Sequence, residues 1–249
     1  MASSIIALTN LCGAVSVDAH GARVVSYVPN GGEEVFFASE TGTGGMPLCW
    51  PWFGGNGPAA GSRRHGIARY CDFDVAMVTN RSPCDAELTL RLKSNDATRR
   101  LFPHDFALTV SVRLTDRLAV SMTGENTGRE PFMVTEAFHP YLSVFESAKC
   151  RVEGLDAPEC RLTDSAGGRV LLLASEGGSR RVWRPSAESH LSKSVSSIMP
   201  DDWRNFICVE NGTFTKEGAY ILRPGESHTL ICSISTGSTA NRLRDNQKE

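Results

Sequence analysis

Apolar and polar residues alternate with a period of two along most of this chain. In LTLRLK (residues 88–93) and FALTVSVRL (residues 106–114), every second residue is apolar. Successive side chains of a β-strand point to opposite faces, so this pattern predicts strands with one buried face. Comparable runs predict strands at residues 22–28, 73–78, 86–92, 106–114, 118–124, 132–137, 170–173, 218–222 and 229–234.

Turn signals such as NGG (residues 30–32) and RPGE (residues 223–226) separate these runs. A sheet with one apolar face must bury that face against another layer, so the chain is predicted to be all-β, a large antiparallel β-sandwich or barrel. A length of 249 residues suits one large all-β domain or two smaller ones. We favour a single domain over residues 1–237, followed by a polar tail at residues 238–249.

Charge and cysteine content restrict the partners of this chain. Lysine and arginine total 26 against 28 acidic residues, and no long basic stretch is present, so we expect no nucleic-acid partner. The eight cysteines form no CxxC pair and no Cys/His cluster at zinc spacing, so they are interpreted as reduced thiols and no metal site is predicted. The sequence has no basic leader and no long apolar span, which predicts a soluble cytoplasmic protein with no membrane partner.

A glycine-rich stretch at residues 41–61 surrounds the apolar block MPLCWPWF. Glycine-rich nucleotide-binding loops need a strand before them and a helix after them, and Pro47 and Pro51 exclude a helix here. The stretch is therefore predicted to be a long, structured loop and not a phosphate-binding loop.

Two polar residues stand inside apolar, β-like runs, His139 in TEAFHPYLSV and Glu210 in FICVENG. Together they form a possible acid and base. Each also has a structural interpretation. His139 would be a buried imidazole bonded to a backbone carbonyl, and Glu210 would enter a hairpin turn at Asn211-Gly212.

Five segments in this order resemble one family. They are GGMPLCWPWFGG, HGIAR (residues 65–69), FHPYLSV, Trp183-Arg184-Pro185 and CVE (residues 208–210). The chain resembles the hexose-6-phosphate mutarotases, also called glucose-6-phosphate 1-epimerases, which are related to the galactose mutarotases. The resemblance implies a galactose-mutarotase-type sandwich with His139 as general acid and Glu210 as general base. It further implies substrate contacts by Arg64, His65 and Arg69, with no metal or organic cofactor.

The reaction of that family explains why such residues are needed. Interconverting anomers requires a proton on the ring oxygen and the removal of a proton from the C1 hydroxyl, so one acid and one base suffice. Histidine can be protonated near neutral pH, and each positioned group contributes roughly 10²- to 10⁴-fold. The expected partner is a small sugar or sugar phosphate.

Further residues have predicted roles around this pair. Sugar faces pack against flat rings, so Trp50, Trp52 and Phe53 are possible platforms, although both tryptophans would equally serve as core residues. Arg64 and Arg69 would hold a phosphate through forked hydrogen bonds. Arg180 and Arg181 are predicted to be solvated surface charges. Surface or structural positions are predicted for His20, His104, His190 and His228.

Two departures from the family pattern affect these predictions. Thr43 stands where relatives carry an arginine that contacts the phosphate, and Arg63 is the predicted replacement. Only 18 residues separate Asp164 from Trp183, so two or three strands and one acidic ligand of the relatives are predicted to be missing. The sandwich would then be opened, or residues 170–173 would pair differently. A sugar-binding or regulatory protein without turnover is the alternative function, and either a monomer or a homodimer is compatible with the sequence.

Overall fold

A computed structural model describes residues 5–55, 57–58, 62–186 and 198–238. Its strands are β1 (Ile5–Asn10), β2 (Gly13–Asp18), β3 (Arg23–Pro29), β4 (Leu48–Cys49), β5 (Asp74–Ser82), β6 (Asp85–Lys93), β7 (Phe106–Leu114), β8 (Leu118–Asn126), β9 (Phe132–Val134), β10 (Ala137–Phe138), β11 (Tyr141–Ser143), β12 (Arg151–Glu153), β13 (Glu159–Asp164), β14 (Arg169–Glu176), β15 (Ser179–Trp183), β16 (Phe206–Gly212), β17 (Tyr220–Leu222) and β18 (Ser227–Ser238). A single-turn helix, α1 (Asp96–Arg99), and 3₁₀ turns at Ala68–Tyr70, Ser147–Lys149 and Asp202–Arg204 complete the described structure.

The largest sheet has eight antiparallel strands in the order β12-β13-β14-β18-β8-β7-β6-β5. Its strands show the predicted alternation, since Ala86, Leu88, Leu90 and Leu92 of β6 are all buried. The same alternation along β7 and β8 forms the apolar face that packs into the main core. The all-β, antiparallel prediction is therefore confirmed.

A smaller sheet contains Glu210 in β16, and its strand β10 ends at Phe138, the residue before His139. Its order is β11-β16-β10-β4, and β15 pairs with the other side of β16. Every residue of β16 is buried. The strand continues through Asn211 and Gly212, which pair with Phe138 and Ala137 of β10. The predicted hairpin turn after Glu210 is therefore wrong, because both neighbours of the strand hold these residues in the ladder.

The glycine-rich stretch places Trp50 in the core. Its side chain is fully buried, with its ring centroid 4.6 Å from Phe106 and 5.9 Å from Phe102. Gly124 of β8 makes room for it, because a Cβ at that position would lie 2.7 Å from Trp50 Nε1. Trp52 is also buried, and its Nε1 donates to the carbonyl of Arg63 at 2.7 Å. Both tryptophans therefore serve packing, and the platform prediction for them is wrong.

The segment between Asp164 and Trp183 contains β14 and β15. β14 pairs with β13 on one side and with β18 on the other, so residues 170–173 lie within an internal strand of the large sheet. The predicted opening of the sandwich at residues 170–173 is therefore not found among the described strands. How many strands the relatives add here stays a prediction.

Other features of the described chain agree with the composition. All eight cysteines are free thiols in the part of the chain that the structure describes. Among the described residues, no helix is long and apolar enough to cross a membrane. β18 runs to Ser238, and residues 239–249 of the predicted tail lie outside the described residues.

Candidate active site

The fold brings His139 and Glu210 together. His139 follows β10 directly, and the β10–β16 register pairs Phe138 with Asn211, so one further step along it places His139 beside Glu210. Nε2 of His139 lies 3.2 Å from Oε1 of Glu210. Neither Oε1 of Glu210 nor Nδ1 of His139 has a hydrogen-bond partner among the described residues. An imidazole and a carboxylate thus meet with unused hydrogen-bonding capacity, and the alternative interpretation, a bond of the His139 ring to a backbone carbonyl, is not found at Nδ1 among the described residues.

Arg181 holds the other oxygen of Glu210. The two residues are directly opposite in the β15–β16 pair, and Nε of Arg181 donates to Oε2 of Glu210 at 2.6 Å. The guanidinium lies over the rings of Phe53 and Phe214, at 4.5 and 4.7 Å from their centroids. Arg181 is exposed, as predicted, but it also pairs with Glu210, because directly opposed residues share one face of a sheet.

Arg180 is also bonded, but on the opposite face. Its guanidinium donates to the carbonyls of Leu155, Ala157 and Pro158 at 3.0, 2.5 and 2.8 Å. These bonds fix the loop between β12 and β13. Arg180 is therefore a structural residue away from the acid–base pair.

Strand register arranges the site in rows across one face of the small sheet. The central row consists of His139, Glu210 and Arg181. The next row lies two residues further along each strand and consists of Tyr141, Cys208 and Trp183. On the other side of the central row, Cys49, Ala137, Gly212 and Ser179 form a third. Residues two apart in a strand point to the same face, so these rows form one continuous surface.

Aromatic rings enclose the imidazole of His139. Tyr141 stacks on it with ring centroids 5.1 Å apart, and Trp183 meets it edge-on at 5.8 Å. Phe53 contacts His65 edge-on at 4.9 Å, and its role as a sugar platform stays a prediction. The period-two spacing of Arg181 and Trp183 would have shown that they share a face. The sequence offered no signal for which strand they face.

His65 and Arg69 flank the pair. The His65 ring lies 5.5 Å from the His139 ring. His65 has a φ of +66° and is followed by Gly66, where a Cβ would lie 2.0 Å from the carbonyl oxygen of Trp50. Nε of Arg69 donates to the carbonyl of Leu48 at 3.0 Å. The tight turn at Gly66 thus places both residues against the glycine-rich stretch.

Arg64 has an exposed side chain beside these two residues. Its positive charge contributes to the lowered pKa of His65. The structure therefore brings His65, Arg69, His139 and Glu210 together and places Arg64 at the rim.

Burial drives the pKa values of the central groups toward one another. It raises the pKa of Glu210, while Arg181 and then Arg69 oppose the rise. It lowers the pKa of His139 well below the ordinary histidine value, and the neighbouring His65 and Arg69 act in the same direction. Burial and the charges of Arg69, Arg64 and Arg181 lower the pKa of His65 to about 3. At neutral pH both imidazoles of the free site are therefore unprotonated.

A cavity of about 430 Å³ is lined by neighbours of His139, although neither His139 nor Glu210 lines it. Tyr141, Arg69 and Pro47 line it, and the carbonyl of Pro47 accepts the backbone N–H of His139 at 3.1 Å. Arg23 also lines the cavity, together with Thr43. Nη1 of Arg23 donates to the carbonyl of Gly42 at 2.7 Å, which places this cation next to Thr43. Arg63 lies over the ring of Tyr70, at the rim of the same cavity.

The other histidines follow the surface or structural prediction where they are described. Nδ1 of His228 lies 2.5 Å from Oε1 of the buried Glu136. His20 pairs with Asp72 at 2.6 Å near the surface. His104 packs against Phe102 and Phe132. His190 lies outside the described residues.

Comparison with known proteins identifies the family to which this arrangement belongs. The family model described as aldose 1-epimerase matches residues 4–161, which is more than half of the chain. The chain belongs to the aldose 1-epimerase family. It is therefore an isomerase of the class that interconverts sugar anomers. The matched region includes Arg64, His65, Arg69 and His139, whereas Arg181 and Glu210 follow it.

Individual relatives extend the match of this epimerase-family protein. A "putative glucose-6-phosphate 1-epimerase" of Salmonella typhimurium is 35% identical over 234 residues, covering 76% of this chain and 76% of that protein. A protein of Escherichia coli K12 with the same description is 29% identical over 253 residues, covering 84% and 82% of the two chains.

Solved structures show the same fold. The crystal structure of a "putative mutarotase" from Salmonella typhimurium has a TM-score of 0.83 at 24% identity, covering 94% of this chain and 90% of that one. A galactose mutarotase-like protein from Lactobacillus casei has a TM-score of 0.74 at 18% identity, covering 94% and 100%. The galactose-mutarotase-type sandwich that the sequence predicted is thereby confirmed.

Proposed function

We propose that this protein interconverts the α and β anomers of an aldohexose, and that its substrate is a hexose 6-phosphate. Glu210 is the general base and His139 the general acid. The observation that carries the proposal is the buried contact of 3.2 Å between Nε2 of His139 and Oε1 of Glu210. Arg64, His65 and Arg69 are the proposed substrate ligands.

The proposed mechanism opens and recloses the sugar ring. Glu210 takes the proton of the C1 hydroxyl while His139 delivers a proton to the ring oxygen. The bond between C1 and the ring oxygen breaks, leaving an aldehyde at C1 and a hydroxyl at C5. After rotation about the C1–C2 bond, the C5 hydroxyl adds to the other face of the aldehyde. Its proton returns to His139, and Glu210 gives its proton to the new C1 oxygen.

Opposite shifts of the two pKa values bear on this reaction. Ring closure exchanges the roles of acid and base, so a large difference between the two pKa values would favour one half of the cycle and slow the other. Burial raises the pKa of Glu210 and lowers that of His139. His139 must gain a proton before it acts as an acid, and an anionic substrate nearby favours the protonated imidazole. A phosphorylated sugar would therefore favour the protonated form of His139 that acts as the acid.

Arrangement of positive charge supports a phosphate on the substrate. Arg69 and Arg23 line the cavity beside the pair, with Arg63 at its rim. Forked guanidinium groups bind phosphate oxygens through charge-assisted hydrogen bonds. The relatives named as glucose-6-phosphate 1-epimerases agree with this assignment.

Anomer exchange measured by NMR magnetisation transfer tests the proposal directly. Glucose 6-phosphate is the substrate, glucose the neutral control, and the His139→Ala protein the blank. We expect fast exchange with the wild-type protein and loss of this acceleration in the variant. Absence of acceleration with either sugar, in a folded protein, would refute the enzymatic proposal.

A second function is a sugar-binding or regulatory protein without turnover. Thr43 and the short segment between Asp164 and Trp183 favour it, because both remove contacts that relatives are predicted to make. It predicts that glucose 6-phosphate raises the melting temperature without accelerating anomer exchange. Exchange that depends on His139 would exclude it.

A further inference from the structure

Cys49 is a fully buried thiol that contacts two of the proposed sugar ligands at once. Its Sγ lies 3.0 Å from Nη2 of Arg69 and 3.4 Å from Nδ1 of His65. It belongs to β4 and is opposite Ala137 of β10, two residues from His139. The thiol is therefore part of the same sheet face as the acid–base pair, directly below the two ligands.

Directions of the hydrogen bonds at this thiol follow from the groups around it. A guanidinium has only donors, so Arg69 donates to the sulfur. Nδ1 of His65 accepts the backbone N–H of Gly54 at 3.3 Å and so carries no proton. The remaining contact must then run from the S–H of Cys49 to Nδ1 of His65. One thiol acts as acceptor toward Arg69 and as donor toward His65.

Protonation states agree with these directions. Burial raises the pKa of Cys49 to about 11, which keeps the hydrogen on the sulfur at neutral pH. Burial together with nearby arginines lowers the pKa of His65 to about 3, so its ring carries a single proton. With Nδ1 occupied by two donors, that proton lies on Nε2.

Both ligands are consequently fixed as donors. Arg69 is held by Leu48 through Nε and by Cys49 through Nη2. His65 presents an N–H at Nε2. Two side chains that can only donate hydrogen bonds suit the oxygens of a sugar. They suit those of a phosphate monoester best, because these oxygens are acceptors alone.

We propose that Cys49 is a positioning residue, whose thiol orients Arg69 and, together with the backbone N–H of Gly54, fixes the Nε2–H tautomer of His65 so that both side chains donate to substrate oxygens. The inference rests on the proposed function, because it takes His65 and Arg69 to face the sugar. Nothing in it requires Cys49 to touch the substrate.

Four variants separate this role from packing. Cys49→Ala and Cys49→Val both remove the S–H, and valine fills most of the volume that alanine leaves empty. Cys49→Ser keeps a donor and an acceptor at the same place. Cys160→Ala is the matched control, because Cys160 is also fully buried but lies in β13 of the large sheet.

Two readouts apply to each variant. Ring ¹⁵N NMR of the sugar-free protein reports which nitrogen of His65 carries the proton. Titration with glucose 6-phosphate, under conditions in which all variants are folded, reports the dissociation constant of the sugar phosphate. We expect the Nε2–H form in the wild-type protein and in Cys49→Ser. In the alanine and valine variants the backbone N–H of Gly54 is the remaining donor to Nδ1, so we expect a fraction of the rings to carry the proton on Nδ1. Loss of a hydrogen bond of ordinary strength should weaken binding about fivefold in these two variants.

The proposal is supported if both changes occur together in the alanine and valine variants, are restored by serine and are absent from Cys160→Ala. Any other combination overturns it, as does a wild-type ring with its proton on Nδ1. The ring spectrum is recorded on the sugar-free protein, and the dissociation constant does not depend on whether the protein catalyses anomer exchange. A protein that fails to catalyse anomer exchange is therefore distinguishable from one in which Cys49 has no positioning role.

Discussion

Arg181 and Glu210 face each other across the β15–β16 pair, with Nε of the arginine 2.6 Å from Oε2 of the carboxylate. The carboxylate is completely buried, whereas 44% of the arginine side chain is exposed. A buried carboxylate without a cation beside it would hold its proton more tightly. Arg181 thus favours the ionised form of Glu210, the proposed base, while leaving Oε1 directed to His139.

Replacing Arg181 with glutamine should change the pH dependence of catalysis. Burial already raises the pKa of Glu210 and Arg181 opposes that rise, so removing the cation raises the pKa further. The base must be ionised, and the acidic limb of the kcat/KM profile should therefore move to higher pH. At a fixed pH on that limb, kcat/KM should fall roughly tenfold for every pH unit by which the limb moves. Arg180→Gln is the matched control, and a profile that does not move in Arg181→Gln would contradict the role.

Substitutions of the pair itself should remove catalysis without unfolding the protein. His139→Ala and Glu210→Gln should each lower kcat by roughly 10²- to 10⁴-fold, since each removes one positioned proton-transfer group. Circular dichroism and the magnetisation-transfer rate are measured on the same samples. His104→Ala is the control, because His104 packs against Phe102 and Phe132 outside the site. Full activity in either variant of the pair would refute its assignment.

Long alternating strands can be predicted from the sequence, whereas strands of two residues cannot. β7 has the predicted bounds because nine residues show the period clearly. β4 and β10 have two residues each, too few for any period, yet they position Cys49 and the residue before His139. Their existence depends on long-range pairing, of β10 with β16 and of β4 with β10.

Site residues divide in the same way. His139, Glu210, His65 and Arg69 lie in local motifs that the sequence makes visible, and the structure brings them together. Arg181 has no such motif, because the segment SRRVW alone cannot show which strand it faces. Its partner is 29 residues away along the chain. Register between distant strands, and not composition, determines that contact.

Substrate charge should be recognised by Arg23 more than by Arg63. Arg23 lines the cavity beside the pair and is held next to Thr43 by the carbonyl of Gly42. Arg63 is stacked on Tyr70 at the rim. Arg23→Ala should raise the KM for glucose 6-phosphate and leave that for glucose unchanged.

The double replacement of Arg63 and Arg64 with alanine is compared in the same assay. We expect it also to act only on the phosphorylated sugar, with a smaller effect than Arg23→Ala. Equal effects on the two sugars would show that these arginines do not read the phosphate.

Gly124 should tolerate no side chain. A Cβ there would lie 2.7 Å from Nε1 of the fully buried Trp50, so Gly124→Ala overpacks the core. The free energy of unfolding should fall by about 1–3 kcal/mol, measured by urea denaturation. Gly237→Ala is the control, since no atom lies within 4 Å of a Cβ at that strand position. Equal stabilities of the two variants would show that the core can shift around Trp50.

Acid sensitivity of the fold should depend on His65. Its pKa is about 3 in the folded protein against an ordinary value of 6.5. Between pH 6.5 and about 3, His65 is therefore protonated in the unfolded chain and neutral in the folded protein. Stability from this group is present above pH 6.5 and is lost as the pH falls toward 3, by up to roughly 1.4 kcal/mol per pH unit.

His65→Asn should flatten that loss, because asparagine does not titrate and tolerates the positive φ of +66° at this position. Unfolding free energies from urea denaturation at several pH values between 4 and 7 measure the slope, with the exposed His20→Asn as the control. The slope should decrease in His65→Asn relative to both the wild-type protein and the control. A slope that is unchanged would mean that His65 takes up its proton in the folded state, and that its environment is more open to water than the buried ring indicates.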